Sequence, residues 1–256
     1  YHGKFAVLAT NTGCGKNIEQ ALIAAGATQN LVTFINGEND VPKLELLQAF
    51  EAILVNSSSS CWKKPHEIGD VLAAYSDNGG AIVTTLFSNC TDSEQFIGGR
   101  FKNEGYHPLS YDKAWESKGE YNRAASNKNK IVESSPHTHP IMQGISTISQ
   151  VAYVKSTVLS ESTLIANYDN GVPMVAEKVN KKSNSSIVSL NMYAVRNINS
   201  FNSYGYAPTC DGHTLCLNAL KYASDKTKGF MKKLTRRMLK EQQEMQLTNV
   251  TIVTMQ

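Results

Sequence analysis

A glycine-rich stretch near the start of the chain, TNTGCGKN at 10–17, is the first place where residue types suggest chemistry. It ends in Gly-Lys and lies between a strand-like apolar run and a helix-like run, which is where a nucleotide-binding P-loop would lie. A P-loop needs a first glycine that lets backbone N–H groups close on the phosphates, and a Ser or Thr after the lysine that holds Mg²⁺. Thr10 and Asn17 occupy these two positions here, so the pattern disfavours nucleotide binding.

The alternative interpretation of this stretch is structural. Gly13 and Gly15 would form a tight turn between the first strand and the first helix, and Thr12 or Asn17 would cap that helix. Lys16 would then face solvent. We predict this arrangement and no nucleotide cofactor.

Closely spaced histidine and cysteine residues are the candidate metal ligands. His137 and His139 have a spacing that suits two zinc ligands on an extended segment, and Cys210, Asp211 and His213 form a second cluster before a helix. The alternatives are that His139 packs in or caps a turn and that Asp211 caps the helix. The five cysteines are widely spaced without a C-x-x-C pair, so we expect no metal site and free thiols in a reducing compartment.

Two further features could bind small molecules. Ser57–Ser60 follow a predicted strand, at the sheet edge where α/β folds bind ligands, although four serines in a row are also typical of a flexible turn. Arg100, in the stretch IGGRF, could bind an anion or pair with a carboxylate at the edge of the core.

The elements that must position these residues alternate between strands and helices in the first third of the chain. Hydrophobic patterning predicts strands at 5–9, 31–35, 52–55 and 81–86 and helices at 18–25, 43–50 and 65–76. Such alternation across short turns is typical of a parallel sheet with right-handed crossovers, and fully apolar strands indicate cover on both faces. The sequence therefore predicts an α/β fold, a flavodoxin-like doubly wound parallel sheet with helices on both faces.

The rest of the chain has a different pattern. Residues 88–135 are rich in Gly, Asn, Ser and Lys, which predicts loops and a short hairpin. Short strands follow from residue 150, and Asp169-Asn170-Gly171 is a strong hairpin signal between two of them. Residues 211–224 are predicted to form the last helix of the domain.

Six motifs in a fixed order resemble one fold family: EIGDVLAAYSDNGGAIVTTLF, IGGRF, HPIMQGI, LIANYDNGVPMVAEK, SIVSLNMY and DGHTLCLNALKYA. Together they resemble class I glutamine amidotransferase-like domains, and most of all the ThuA-like and β-galactosidase-trimerisation-like branch. HPIMQGI followed by NGVPMVAEK carries most of the resemblance. It implies an amidotransferase-like domain over 4–224 and a separate basic tail over 225–256.

The resemblance also implies where catalytic residues would lie, and there this chain departs from the family. Family enzymes use a cysteine nucleophile on a tight strand-to-helix elbow, with a His and a Glu later in the chain. The stretch FSNCT at 87–91 lacks the glycines of an elbow, and Cys90 lies too far along. Asn191 and its two successors occupy the place of the family histidine. We therefore expect a pseudoenzyme without catalytic residues, in which Cys90 is not a nucleophile.

The C-terminal tail carries the net positive charge of the chain. Residues 225–256 contain seven basic and three acidic residues, whereas the rest has a net charge of −1. Apolar residues spaced by three and four predict an amphipathic helix over 229–247. This helix could dock on its own domain, bind a protein through its Met-rich face, or lie on an anionic membrane. The predicted partner-binding residues are Lys232, Lys233, Leu234, Arg236, Arg237, Met238 and Lys240.

These observations favour a non-catalytic structural or interaction module that binds proteins with an acidic surface, as a scaffold in a cytoskeletal assembly such as a microtubule. We expect no nucleic acid partner, because no aromatic residues interleave with the basic run, and no membrane partner. The alternatives are a hydrolase or amidotransferase-like enzyme with an unrecognised site, and a secreted carbohydrate-binding module. Free thiols favour the cytoplasm, whereas four glycosylation sequons, at Asn56, Asn89, Asn184 and Asn249, favour secretion.

Overall fold

The computed structural model of the chain describes residues 3–58, 61–89, 96–110, 122–123, 132–133, 139–149, 152–196, 205–230 and 232. The first part of the chain alternates strands and helices as predicted. Its elements are β1 (Phe5–Ala9), α1 (Thr12–Ala24), β2 (Val32–Asn36), α2 (Leu44–Leu47), β3 (Ala52–Asn56), α3 (Pro65–Asp77) and β4 (Ala81–Thr84).

Shorter elements follow β4. They are a 3-10 turn over Leu86–Asn89, α4 (Gly99–Asn103), β5 (Leu109–Ser110), β6 (Asn122–Arg123), β7 (Val132–Glu133), a 3-10 turn over Pro140–Met142, β8 (Ala152–Tyr153) and β9 (Thr157–Val158). The domain closes with β10 (Ser162–Asn167), β11 (Pro173–Val179), β12 (Ser186–Leu190) and a helix over 212–230, named α5 here. The helix α4 falls in a region for which the sequence predicted only loops and a hairpin.

The main sheet has the strand order β2-β1-β3-β4-β12-β11-β10-β7. β1 to β4 and β12 run parallel, whereas β11 and β10 add an antiparallel hairpin beside β12. The turn of that hairpin is the predicted Asp-Asn-Gly, in which Gly171 has a φ of 81°. The predicted flavodoxin-like α/β fold with a mostly parallel sheet is therefore confirmed.

Helices cover both faces of the sheet because successive strand residues point to opposite sides. Phe5 and Val7 of β1 pack with Ile18 of α1 and Leu215 of α5, in one cluster of buried apolar residues. Leu8, the next residue on the strand, points the other way and packs in the opposite cluster with side chains of α2, α3 and α4. This two-layer cover explains why the central strands are fully buried along their length.

The predicted glycine turn after β1 is wrong. The helix α1 already begins at Thr12, and Asn11 caps it by accepting a 3.0 Å hydrogen bond from the backbone N–H of Cys14. Gly15 therefore lies inside the helix, where a Cβ atom would come within 2.1 Å of the Phe34 ring on β2. Glycine is required here for close helix–sheet packing and not for a turn.

The last helix continues past residue 224, the predicted end of the domain. Thr227 is buried, and its hydroxyl accepts a hydrogen bond from the backbone N–H of Ser186 at the start of β12. Lys226 pairs with Glu177 of β11, and Lys228 pairs with Glu51 before β3. The first turn of the predicted tail thus packs on the α/β domain. None of the described helices is long and apolar enough to cross a membrane.

Candidate functional site

The carboxyl ends of β1, β3, β4 and β12 meet at one edge of the sheet, where this fold class binds ligands. A set of buried polar residues follows these strand ends, and we name it the carboxyl-edge cluster: Thr10, Asn56, Ser57, Ser58, Thr84, Thr85, Ser88, Asn89 and Ser189. Each of these side chains is at most 3% exposed. Because buried polar groups are costly unless they are paired, their hydrogen bonds decide what the cluster can do.

Hydrogen bonds between loops fix one side of the cluster. The Ser58 backbone N–H donates to the Thr10 hydroxyl at 3.0 Å, and the Ser57 backbone N–H donates to the Ser88 hydroxyl at 3.1 Å. The hydroxyls of Thr10 and Ser58 are also within hydrogen-bond distance of one another. The start of the serine run is therefore an ordered junction between β1, β3 and β4, and Ser59 and Ser60 lie outside the described residues.

The other side of the cluster contains an unpaired donor. Thr85 donates its hydroxyl to Oδ1 of Asn56 at 2.9 Å, and Asn89 accepts from the hydroxyls of Thr84 and Ser189. The Asn56 Nδ2 group is buried and has no hydrogen-bond partner in the part of the chain that the structure describes. All nine members are neutral amides or hydroxyls, a composition that suits a neutral polar ligand and not acid–base chemistry.

Asn191 lies where the resemblance places the family histidine, and it acts as a structural clamp. It is 2% exposed and follows β12 directly. Its Nδ2 group donates to the backbone oxygens of Val154 and Pro173 and to the Ser156 hydroxyl, and its Oδ1 accepts from the Val154 N–H. Both polar atoms of the side chain are thus engaged in joining backbone segments.

The predicted exposure of Lys16 is confirmed. Its side chain is 54% exposed, and its ammonium pairs with Glu19 one turn later on α1. Asn17 does not cap the helix as predicted; its amide exchanges two hydrogen bonds with the backbone of Arg196. The capped helix start at Asn11 leaves this stretch without the open loop geometry of a P-loop.

The described histidines and cysteines do not assemble a metal site. The His139 ring accepts from the Ile141 N–H and packs on Tyr222, as in the predicted turn. Asp211 precedes α5 as predicted, but its Oδ2 accepts hydrogen bonds from Ser146 and Thr147. Among the described residues no group of three potential ligands could hold a metal ion. His137 and Cys90 lie outside the described residues.

Arg100 lies on α4 and pairs with carboxylates, which is the second of its two predicted roles. Its guanidinium contacts Asp77 at 2.7 Å and Glu104 at 2.8 Å, and Lys182 bridges the same two acids. Partial burial acts to raise the pKa of Asp77, but hydrogen bonds from Tyr106 and three other side chains outweigh it and lower the pKa to about 2. This network therefore holds its charges fixed near neutral pH.

A cavity of about 190 Å³ adjoins this ionic network at the opposite, amino edge of the sheet. Four of its charged lining residues pair with one another, Lys181 with Glu161 and Lys182 with Glu104, while Lys178 donates to the Ser160 backbone oxygen. No local pattern in the sequence indicates this cavity, because its walls come from the segment after α4 and from the end of β11, the turn that follows it and the start of β12.

The predicted partner-binding tail is described only at its start. Lys232 is helical and exposed. Lys233, Leu234, Arg236, Arg237, Met238 and Lys240 lie outside the described residues.

Comparisons with solved structures support the fold. A cytoplasmic protein from Salmonella typhimurium LT2 is similar at a TM-score of 0.59 and 14% identity, over 86% of this chain and 99% of its own. A second cytoplasmic protein from Salmonella typhimurium is similar at a TM-score of 0.51 and 11% identity, over 86% of this chain and 98% of its own. A protein assigned as ThuA-like, from Parabacteroides merdae, is similar at a TM-score of 0.55 and 12% identity, over 87% of this chain and 90% of its own. No protein-family model and no curated protein matches the chain.

Proposed function

We propose that this chain, which shares its fold with a ThuA-like protein, is a non-catalytic binding module whose partners are other proteins. The observation that carries the proposal is Asn191. At the place of the family histidine stands an amide that is buried and fully used in holding backbone segments together. A general base at this place would need a free imidazole nitrogen within reach of a nucleophile.

The reactivity of the Cys90 thiol tests the non-catalytic part. A cysteine nucleophile has a lowered pKa and alkylates rapidly at neutral pH, whereas an ordinary thiol has a pKa of about 8.5. We expect iodoacetamide to label Cys90 at pH 7 no faster than it labels free cysteine, and we expect no ammonia release from glutamine. Peptide mass spectrometry gives the rate at each cysteine, with Cys61 as the internal reference. Rapid labelling of Cys90 together with glutamine turnover would favour the amidotransferase-like alternative.

The protein-binding part rests on charge. The helix α5 is anchored to the domain at Thr227. Lys232, after the described end of α5, is helical and exposed, and the sequence continues with more basic residues. A basic segment extending from a domain with a net charge near zero suits a partner with an acidic surface. A microtubule-like polymer and a cytoplasmic location are part of this proposal.

Co-sedimentation with microtubules tests that partner. We expect Arg236→Glu/Arg237→Glu to abolish binding, and Lys63→Glu/Lys64→Glu, the same charge change on exposed residues before α3, to leave it intact. Binding through charge should weaken from 0.1 M to 1 M salt, because the Debye length falls from about 10 Å to about 3 Å. Equal binding of both double variants would refute the tail as the contact.

A second candidate function is the binding of a small neutral ligand at the carboxyl-edge cluster. The unpaired Nδ2 of Asn56 favours it, because a ligand oxygen would satisfy this buried donor. Saturation-transfer NMR with neutral sugars would detect such binding, and Asn56→Leu should remove it while Asn78→Leu, at an exposed position, should not.

Asn56 and Asn89 are buried sequon residues, so glycosylation at these two positions is not expected in the folded protein.

A further inference from the structure

Three buried polar atoms without partners lie near one another where the chain leaves β12 and enters α5. They are Nε of Arg196, the hydroxyl oxygen of Tyr206 and Nδ1 of His213, and none has a hydrogen-bond partner in the described part of the chain. Buried polar groups in native proteins are nearly always paired, so such a set calls for an explanation. Each of these atoms can donate a hydrogen bond, Nδ1 of His213 in one of its two tautomers.

The surrounding structure holds this set in place. Both backbone polar groups of Arg196 are engaged by the side chain of Asn17 on α1, and the Tyr206 N–H donates to the Val195 oxygen at 3.0 Å. Arg196 and Tyr206 are also bridge partners in a short parallel pairing. The pair is therefore fixed by backbone hydrogen bonds and not only by side-chain packing.

The Tyr206 ring is fully buried against the start of α5. A Cβ atom at Gly212 would come within 2.6 Å of this ring, so only glycine leaves enough room for the ring at this position. The ring of His213 stacks on Tyr206 at a centroid distance of 6.4 Å. Tyr206 and His213 thus lie at the amino end of a helix of about five turns, which carries a partial positive charge, and the charge of Arg196 interacts with both.

We propose that Arg196, Tyr206 and His213 form a binding site for a small oxyanion, the carboxylate or phosphate group of a small ligand. The site has one fixed cation, two further donors and a helix amino terminus, which together match an oxyanion. In the nearby carboxylate of Asp211, Oδ2 is engaged by hydrogen bonds from Ser146 and Thr147. The site shares no residue with the predicted tail or with the carboxyl-edge cluster.

Titration of His213 gives a direct readout of an occupied site. In the free protein, burial and the charge of Arg196 lower the pKa of His213, while Asp211 acts to raise it. A bound oxyanion stabilises the imidazolium form, so the pKa of His213 should rise when the ligand binds. A purely structural role for the three residues would leave this pKa unchanged when an anion is added.

The experiment uses the full chain with inorganic phosphate and succinate as separate probes, followed by NMR of the histidine rings. We expect saturable binding of at least one probe with a dissociation constant of about 1 mM or tighter, and a rise in the pKa of His213. The probe that binds more tightly tells whether the site favours phosphate or carboxylate. Neither probe giving a saturable response at about 10 mM would overturn the proposal.

Three variants identify the site. Arg196→Gln should weaken binding by about tenfold or more, because a charge-assisted hydrogen bond is lost, whereas Arg100→Gln, at a paired arginine on α4, should leave it unchanged. Tyr206→Phe should also weaken binding while leaving the free protein as stable as before, because it removes an unpaired buried hydroxyl. Unchanged affinity in both Arg196→Gln and Tyr206→Phe would overturn the assignment.

Discussion

The backbone N–H of Ser186, at the start of β12, donates a 3.0 Å hydrogen bond to the hydroxyl of Thr227 on α5. Both residues are buried. This contact places the structural end of the α/β domain beyond residue 227, inside the segment that the sequence assigned to the tail. The charge boundary and the packing boundary therefore differ by about one helical turn.

Thr227→Val should lower the free energy of unfolding by about 1–2 kcal/mol, because the Ser186 N–H loses its buried acceptor while the side-chain shape is kept. Urea denaturation measures the effect. Lys232→Ala, at an exposed helical position after the described end of α5, should change stability by less than about 0.5 kcal/mol. Similarly, truncation after residue 224 should destabilise the domain, whereas truncation after 232 should not. Equal stability of the two truncated chains would show that α5 does not need its last turn.

Two helical glycines are predicted to respond in opposite directions to alanine. Gly15→Ala should destabilise by about 1–3 kcal/mol, because its Cβ would overlap the Phe34 ring. Gly229→Ala should stabilise by about 0.5–1 kcal/mol, because nothing lies within 4 Å and alanine favours helix. Thermal unfolding of both variants tests the pair. Adding Phe34→Leu to Gly15→Ala should recover part of the loss, and no recovery would argue against this contact as the cause.

These glycines show how far the sequence could predict the fold. The strands β1, β3 and β4 were predictable because continuous apolar runs indicate burial on both faces, which is a local signal. The role of Gly15 was not, because its neighbour Phe34 is nineteen positions away and on another element. The start of α1 was not predictable for a related reason, since the two glycines after Asn11 are typical of a turn although Asn11 caps the helix. Local pattern therefore predicted the elements, and packing decided their ends.

The candidate sites were less predictable than the fold. Ser57 was singled out because it follows a strand, but its partner Ser88 follows another strand, and only the sheet order brings them together. The same holds for Arg196 and His213, which the fold brings to the start of α5. In the sequence, His213 lies beside Cys210 and Asp211. In the structure, Cys210 contacts the Ser149 backbone oxygen and Asp211 accepts a hydrogen bond from Ser146.

The buried His107 should make stability depend on pH. Burial lowers the pKa of this imidazole to about 4, although a hydrogen bond to the Ile97 oxygen acts the other way, whereas an unfolded histidine has a pKa of 6.5. Between these values the unfolded chain binds the proton and the folded chain does not. Stability contributed by the neutral imidazole is therefore fully present above pH 6.5 and is lost as pH falls towards 4.

His107→Leu tests this prediction because leucine does not titrate. Relative to the variant, the wild-type chain should lose about 2–3 kcal/mol of unfolding free energy between pH 7 and pH 4. Urea denaturation at four pH values gives the difference, and other titrating groups cancel in it. Parallel pH profiles of the two proteins would mean that His107 is protonated equally in the folded and unfolded chains.

Asn191→His, which introduces after β12 the residue type of the amidotransferase-like enzymes that the sequence resembles, should destabilise the protein and not create an enzyme. An imidazole has one N–H in its neutral form, so it cannot replace donors that serve the backbone oxygens of both Val154 and Pro173. A buried carbonyl left unpaired costs about 1–3 kcal/mol, and we expect a total loss of about 2–4 kcal/mol of unfolding free energy.

Tyr168→Phe, which removes a single hydrogen bond to the backbone oxygen of Asn191, is the matched control and should cost about 1 kcal/mol. Urea denaturation and an assay of ammonia release from glutamine measure the two effects. A stable Asn191→His variant that hydrolyses glutamine would show that the fold tolerates a catalytic histidine after β12, and the clamp role of Asn191 would then be refuted.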